Sequence, residues 1–265
     1  MKFKATLFAL LAASALPSHG QTTTYTWYGF GPDNNWTSNT NWSPTRPASS
    51  NTTILEFAGA TRTTANNNLG DWALDLNSLN FASGASSFTL TGNSFGFREL
   101  RQIPVSNGNG GFAKGFWPQE INQNSANPQT ISISAFAFRS DSDSFINLHE
   151  GDLTINSTVY IDSDPYNHRT LTVGGKDLTR RTLNLNGTLT KGSSSGEVPQ
   201  LLIRQGKRVV VNGSLALGVG GDATVTGGGR LEVGPVALWA IVMFCSTKTA
   251  RCGCRTPGKT SPTRL

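Results

Sequence analysis

Closely spaced carboxylates are the residues of this chain whose type and spacing could do chemistry. They form three pairs, Asp141 with Asp143, Glu150 with Asp152, and Asp162 with Asp164. Oxygen ligands clustered in this way suit Ca²⁺, and calcium beside a Lys or Arg would equip a polysaccharide lyase. Calcium binding by Asp141, Asp143, Asp162 and Asp164 is therefore one hypothesis. The favoured interpretation is that these carboxylates only solubilise turns, because the sequence has no EF-hand or nonapeptide calcium repeat, and no cofactor is then predicted.

Tryptophan rings form a second group of interest near the start of the chain, comprising Trp27, Trp36, Trp42 and Trp72. Their flat, amphipathic faces suit stacking on sugars, and Trp36, Trp42 and Trp117 are the candidates for ligand binding. The favoured interpretation is a cap over the first coil of a repeat structure, whose open edge would otherwise invite aggregation.

The familiar catalytic constellations do not occur in the sequence. The chain has no Cys before Cys245 and no Gly-x-Ser-x-Gly or His-Glu-x-x-His motif. His149 and His168 stand beside predicted turns, where solvent-facing side chains are expected. Cys252 and Cys254 have no His or second Cys pair that would indicate a metal site. No catalytic, cofactor-binding or metal-ligating residue is predicted, which favours a protein that is not an enzyme.

The distribution of charge argues against a nucleic-acid partner. The net charge of the whole chain is +6, but residues 21–235 contain 15 basic and 16 acidic residues. The excess comes from the two ends, and the N-terminal end reads as a signal peptide over residues 1–20, with two lysines, an apolar run and a small-residue cleavage site. The run is too short to span a bilayer. We therefore expect an exported protein without a transmembrane helix in the mature chain.

The elements that must position these residues are β-strands. Short alternating strands are predicted in 21–100, a long loop or insertion in 101–128, and strictly alternating strands in 129–235. No window has a convincing helical period. The last segment, 236–265, is an apolar run followed by a basic, Cys-containing stretch, and it is predicted to be a disordered tail that a reading-frame disruption would explain.

Three nine-residue stretches share one frame: LTINSTVYI from Leu153, LNLNGTLTK from Leu183 and VVVNGSLAL from Val209. Taken singly, their Asn-Gly steps indicate β-hairpins. Their spacings of about 30 and 26 residues instead favour successive coils of a β-solenoid, in which one motif recurs once per coil. A β-sandwich or hairpin meander is the alternative.

The solenoid interpretation carries two further expectations. Asn and Gly should lie at the corners between strands, in left-handed or bridge dihedrals. A second frame, basic-x-apolar-x-apolar-x-Gly from Arg169, Arg181 and Lys207, should also mark one position on successive coils.

The assembled motifs resemble those of bacterial autotransporter-associated β-strand repeat proteins. The resemblance is carried by YTWYGF, NNWTSNTNWSP and ILEFAG in the N-terminal part, and by LNLNGTLTK, VVVNGSLAL and TVTGGGRLEVG in the later part. It spans about residues 21–235 and implies a right-handed parallel β-helix, released or displayed at the bacterial cell surface or outer membrane. The chain departs from the family pattern after residue 235, where further repeats and a barrel or anchor are expected, as if it were truncated or disrupted there.

The sequence therefore predicts an exported structural or adhesive β-solenoid without catalytic activity, whose partner is an extracellular glycan or a surface protein. Specificity is expected in the 101–128 segment and at corner residues. The alternative is a carbohydrate-active enzyme, resembling a polysaccharide lyase, or a carbohydrate-binding module on the same fold.

Overall fold

The computed structural model describes most of the chain between the predicted signal peptide and the predicted tail. The described residues are 21–98, 118–139, 143–162, 170–192, 199–218 and 222–234, with the backbone of four short strands in 100–117. The predictions for 1–20 and 236–265 lie outside the described residues.

Three parallel sheets wind around one core as a β-solenoid of about 7 turns, in which each coil contributes one strand to each sheet. The first sheet contains β2 (Trp42–Ser43), β1 (Thr23–Trp27), β3 (Thr53–Phe57), β6 (Ser78–Phe81), β13 (Gln119–Gln123), β16 (Ser144–Leu148), β19 (Thr170–Gly174), β22 (Gln200–Ile203) and β25 (Asp222–Val225). The second contains β4 (Thr64–Asn67), β7 (Thr89–Gly92), β14 (Gln129–Ile133), β17 (Leu153–Ile155), β20 (Arg181–Leu185), β23 (Lys207–Val211) and β26 (Arg230–Val233). The third contains β5 (Asp75–Leu76), β8 (Phe95–Arg98), β15 (Ala135–Arg139), β18 (Thr158–Asp162), β21 (Thr188–Lys191) and β24 (Ser214–Ala216).

The remaining elements are short. β1 also pairs antiparallel with β2, and a single 3₁₀ turn covers Asn39–Asn41. Two antiparallel pairs interrupt the solenoid, β9 (Leu100–Arg101) with β12 (Phe116–Trp117) and β10 (Val105–Ser106) with β11 (Phe112–Ala113). No helix among the described residues is long and apolar enough to cross a membrane.

The choice between hairpins and stacked coils is settled by strand register. Leu153 pairs with Leu183 and Leu183 with Val209, in parallel strands of the second sheet. The three nine-residue stretches therefore occupy one position on successive coils. This confirms the all-β solenoid, and the hairpin and sandwich alternatives are wrong.

The second repeated frame is only partly a repeat. Arg181 and Lys207 pair in register in the second sheet. The copy that begins at Arg169 instead forms Thr170–Gly174, which belongs to the first sheet. Alternation of apolar residues does not reveal which sheet a strand joins, so this prediction was wrong for one of the three copies.

Glycine is required at the corner between the second and third sheets because coils approach closely there. A Cβ added to Gly187 would lie 2.1 Å from the carbonyl oxygen of Ser157, and one on Gly213 would lie 1.9 Å from that of Gly187. Neither glycine has a positive φ. Of the two conformations expected at the corners, left-handed or bridge, the left-handed one does not explain these glycines, and the steric reason for glycine is contact with the coil before.

Alternate residues of each strand fill the interior. Strand β20, for example, buries Arg181, Leu183 and Leu185 and turns Thr182 and Asn184 outward. The N-terminal half of the core is aromatic: Phe95 stacks on Phe136 at 5.8 Å and Phe97 on Phe138 at 4.8 Å between ring centroids, each pair joining successive coils. Such stacked rings add to the stability gained from burying their area.

Asparagine side chains form a ladder along the corner that follows the second sheet. Nδ2 of Asn212 donates to Oδ1 of Asn186 at 2.8 Å, and Nδ2 of Asn186 donates to Oδ1 of Asn156 at 2.9 Å. Asn156 in turn donates to Oγ of Ser132 at 2.7 Å. The ladder links four coils outside the core, which explains why Asn recurs in the nine-residue stretches.

Replacing Asn186 by aspartate should therefore destabilise the fold. The introduced carboxylate keeps the acceptor for Asn212 but faces Oδ1 of Asn156 without a proton, which should cost about 1 kcal/mol at neutral pH. Because the folded state raises the pKa of this carboxyl, the cost should disappear as the pH falls through that pKa and the carboxyl becomes a donor. Urea unfolding of both proteins at pH 7 and pH 3.5 measures it, and a gap that does not narrow at pH 3.5 would contradict the ladder.

Candidate functional site

The predicted calcium ligands do not assemble among the described residues. Oδ1 of Asp143 accepts the backbone N–H of Thr170 at 3.1 Å, while Oδ2 of Asp162 lies 3.6 Å from Nε of Arg139. Asp141 and Asp164 lie outside the described residues, as does His168. No cluster of three or more His, Cys, Asp or Glu is found in the part of the chain that the structure describes. Calcium binding stays a prediction that this geometry does not support.

Two of the three predicted ligand-binding tryptophans are core residues. Trp36 is fully buried and Trp42 is 5% exposed, and their rings meet edge-on at 5.7 Å. Trp27 joins the same cluster, 5.1 Å from Trp42. These rings pack inside the first coils and present no face to a ligand, so this geometry does not support sugar stacking on Trp36 and Trp42. The side chain of Trp117 lies outside the described residues.

A polar groove of about 340 Å³ lies where the first sheet turns into the second. It is lined by Glu56, Ala82, Ser83, Asn124, Glu150 and Lys176, which come from five successive coils. Glu150 forms an ion pair with Lys176 and a second with Nη2 of Arg181 at 3.4 Å. Both bonds stabilise the ionised form and hold the pKa of Glu150 below its usual range, which leaves that carboxyl without a proton to donate near neutral pH.

A cluster of Lys207, Arg181 and Asp177 lies next to this groove and contacts Glu150 through Arg181. Lys207 is 1% exposed, and its Nζ donates to the carbonyl oxygens of Asp177 at 3.1 Å and Thr179 at 3.0 Å. Burial lowers the pKa of Lys207, and the hydrogen bond from Arg181 lowers the pKa of Asp177. Arg181 and Lys207 thus both form ion pairs with Asp177. Sequence reasoning missed the cluster, because a basic residue at a strand start gives no sign of pointing inward.

His149 is tied to the same corner by its ring. Its Nδ1 accepts the backbone N–H of Lys176 at 3.1 Å, so this nitrogen must be unprotonated. Burial, and then the charge of Lys176, lowers the pKa of His149. The sequence predicted a solvent-facing turn residue, whereas the structure assigns His149 a bond between coils.

The fold should therefore lose stability in mild acid through His149. Above pH ~6.5 the ring is neutral in both states. As the pH falls from there through the lowered folded pKa, the unfolded chain binds the proton first, and the folded state is disfavoured. His149→Asn supplies a non-titrating acceptor, so its free energy of unfolding should change less between pH 7.5 and 5.5 than that of the wild type. Equal changes in both proteins, measured by urea unfolding, would contradict this role.

The outer face of the third sheet carries a different arrangement, centred on Trp72. The guanidinium carbon of Arg139 lies 4.5 Å from the centre of the Trp72 ring, and the Tyr160 ring lies 6.3 Å from it. Gly96 leaves room for the guanidinium, since an added Cβ would lie 3.1 Å from Nη1 of Arg139. Both Trp72 and Tyr160 keep part of their surface in solvent. We call Trp72, Arg139 and Tyr160 the aromatic platform.

Three charged side chains, Arg98, Asp75 and Asp162, border the aromatic platform and form ion pairs with one another or with Arg139. Nε of Arg98 donates to Oδ2 of Asp75 at 2.6 Å, and Nη1 of Arg139 lies 3.8 Å from Oδ1 of the same carboxylate. Arg139 also faces Asp162, whose pKa is raised because burial outweighs the attraction of Arg139. Arg98, Arg139 and Asp162 all end strands of the third sheet, at the edge from which the β9–β12 insertion leaves the solenoid.

Trp72 holds its position at the cost of backbone strain. Its φ of 58° is rare for a bulky side chain and costs on the order of 1–2 kcal/mol. The neighbouring coil fixes the conformation, because the N–H of Trp72 donates to the carbonyl of Ser94 at 3.0 Å and the N–H of Ser94 donates to Asp71 at 2.9 Å. The sequence placed Trp72 with the cap tryptophans, and nothing in its spacing distinguishes it from them.

No family model, curated protein or solved structure gives a significant match to this chain. The strand register alone confirms a β-solenoid repeat protein. Membership of the autotransporter-associated family remains a prediction from the sequence.

Proposed function

We propose that this chain is an exported, non-catalytic β-solenoid that serves as an extracellular structural or adhesive module. Export is inferred from the signal-peptide features of residues 1–20. The proposed partner is an extracellular glycan or a surface protein, and nucleic acid is not expected because residues 21–235 are close to neutral.

One observation carries the non-catalytic part of the proposal. In the polar groove, Glu150 is held ionised by Lys176 and Arg181, and the cluster beneath it is closed by Asp177 and Lys207. A glycosidase needs one protonated and one ionised carboxyl at a set separation, and a lyase needs a free base beside a neutralised carboxylate. Glu150 fits neither role, because it is paired with two cations, and the second carboxylate of the lining, Glu56, accepts the hydroxyl of Thr26 at 3.4 Å.

A structural or adhesive role fits what the coils do with their polar residues. The Asn ladder ties adjacent coils along one corner, and a second ladder runs outside the first sheet, where Asn147 donates to Asn122 at 2.9 Å and Asn122 to Asn80 at 3.0 Å. Such ladders stiffen a solenoid and keep its flanks polar. A rigid polar flank suits display of a contact surface.

Two measurements test the proposal. Residues 1–20 fused to alkaline phosphatase, which is active only outside the bacterial cytoplasm, should give active enzyme, and a fusion with Lys2 and Lys4 replaced by glutamate should give much less. The purified chain, incubated with neutral and acidic polysaccharides, should release neither reducing ends nor unsaturated uronates. An inactive fusion would refute export, and a released product would refute the non-catalytic role.

A further inference from the structure

We propose that the aromatic platform on the third sheet is a binding site for a neutral polysaccharide, with the Trp72 ring as its stacking surface. The inference rests on the proposed extracellular function and names the partner class for it. Its parts are the rings of Trp72 and Tyr160 and the charged side chains of Arg98, Asp75 and Asp162 that border them.

Stacking requires an indole ring that is both fixed and accessible. The Arg139 guanidinium contacts one part of the Trp72 ring and also lies over Gly96, on the surface of the sheet. The ring is therefore held by a cation–π contact, and part of its surface remains open to solvent. Trp27, Trp36 and Trp42 differ, because all three are buried.

The strain at Trp72 is a second, independent observation. A strained conformation persists only where surrounding contacts enforce it, and such residues concentrate at functional sites. A ring needed only to cover the sheet would not require φ of 58°, since any apolar side chain on the outward positions beneath it would do the same. The bond to Ser94 fixes the backbone of Trp72 and the contact with Arg139 restrains its ring, which lowers the entropy lost on binding.

The charges identify the class of sugar. Two cations, Arg98 and Arg139, face two carboxylates, Asp75 and Asp162, and a third carboxylate, Asp71, stands beside Trp72, so these residues have no excess of positive charge. A uronic-acid polymer would meet at least as much repulsion as attraction, whereas the hydroxyls of a neutral sugar can donate to carboxylates and accept from Arg98. Part of Arg98 remains exposed, with 52% of its side-chain surface in solvent. Flat aromatic faces match the apolar C–H face of a pyranose ring.

The aromatic platform covers small outward positions of the third sheet. The third sheet presents parallel strands at about 4.8 Å spacing, and its outward positions next to the platform are small, with Gly96 in register with Ala137. Ala137 is 2% exposed although its side chain faces outward. The surface beneath the rings is therefore already covered, and a ligand would contact rings and charges instead of the sheet itself.

Binding of the full chain to polysaccharides in affinity gels tests the site. The probes are soluble β-1,3-glucan, xylan and mannan, with polygalacturonate as the acidic comparison. We expect retardation by at least one neutral polymer and less by polygalacturonate. Trp72→Gly should weaken this binding about tenfold, equivalent to ~1.4 kcal/mol. Glycine adopts φ of 58° freely, so this variant removes the ring without adding strain.

Matched variants separate binding from folding. Phe30→Ala removes another exposed ring, 73% in solvent and at the N-terminal end of the solenoid, and should bind as the wild type does. If thermal unfolding shows that Trp72→Gly does not fold, Tyr160→Ser replaces it and should weaken binding severalfold. Equal binding by wild type and either folded variant, stronger binding to polygalacturonate, or no retardation by any neutral probe would each overturn the proposal.

These outcomes are distinct from failure of the proposed function. Adhesion of the chain to cells without polysaccharide binding would leave the adhesive role and refute the platform. Release of sugar products with loss of binding in Trp72→Gly would leave the platform and refute the non-catalytic role.

Discussion

Replacement of Trp36 by alanine is expected to lower the free energy of unfolding by about 3–5 kcal/mol. The Trp36 ring is fully buried and packs against Trp42 at 5.7 Å and Phe57 at 5.8 Å. Its backbone also bonds to the first strand of the second sheet, since the N–H of Trp36 donates to the carbonyl of Asn66 at 2.9 Å. Loss of the ring should leave a cavity and also destabilise the cap. The strand edges exposed in this way should promote self-association of the chain. Urea unfolding and light scattering measure both effects.

Two controls decide what the loss means. Trp36→Phe should cost much less, because it keeps most of the ring and removes an indole N–H that has no hydrogen-bond partner. Phe30→Ala, at an exposed ring, should be close to neutral. If Trp36→Ala unfolded like the wild type, Trp36 would not be part of a cap, and the aromatic cluster would need another explanation.

Gly213→Ala is expected to be the most damaging of the single-methyl additions, costing about 3 kcal/mol. The added Cβ would lie 1.9 Å from the carbonyl oxygen of Gly187, which already accepts the N–H of Ser214 at 3.1 Å. Neither backbone can withdraw without breaking a bond between coils. The corner should open and the coils after it should separate from those before it.

Gly174→Ala is the matched control for this clash. Gly174 also lies in the solenoid wall, at the end of its strand, but an added Cβ there would meet nothing closer than 3.5 Å. Its φ is not positive either, so the change should cost less than about 1 kcal/mol. Hydrogen exchange of strand amides follows the damage, which should spread from the 186–187 and 212–213 corners in Gly213→Ala alone. A similar loss of stability in both variants would contradict a steric cause.

The fold could be predicted from the sequence where the core is apolar and the corners are short. Leu153, Leu183 and Val209 lie in strands that alternate strictly, and the Asn directly after the last buried apolar residue of each strand marks the corner. Ser157 shows why the motif is not invariant. The corner of the coil before it is only Ser134, one residue shorter than the later corners, so a side chain fits at 157 where Gly is needed at 187 and 213.

Strands with polar interiors could not be predicted. Gln119–Gln123 was placed in the 101–128 loop, yet it is a strand of the first sheet that buries Gln119, Ile121 and Gln123. Nε2 of Gln123 donates to the carbonyls of Asn127 at 2.8 Å and Asp152 at 3.1 Å, so the amide replaces an apolar core contact. One of these partners follows in the same coil and the other comes from the next coil, and alternation of hydrophobicity carries no signal for either.

The candidate sites were harder to predict than the fold for a similar reason. The carboxylate pairs were visible as a pattern, but Asp162 is matched to Arg139 of the preceding coil instead of to another carboxylate. Trp72 and Tyr160 are far apart in sequence and meet only because the first and fourth full coils share one outer face. Strand register, which places residues on that face, is the information that the sequence lacks.

The side-chain ladders have a direction. Every hydrogen bond between Asn side chains in them is donated by a later coil to an earlier one: Asn66 to Asn35, Asn122 to Asn80, Asn147 to Asn122, Asn186 to Asn156 and Asn212 to Asn186. Each new coil thus brings donors for acceptors that already stand in place and leaves acceptors for the coil after it. Synthesis delivers the chain from its N-terminal end, so these ladders can be completed in the order in which the coils emerge, with no ladder donor waiting for a coil still to come.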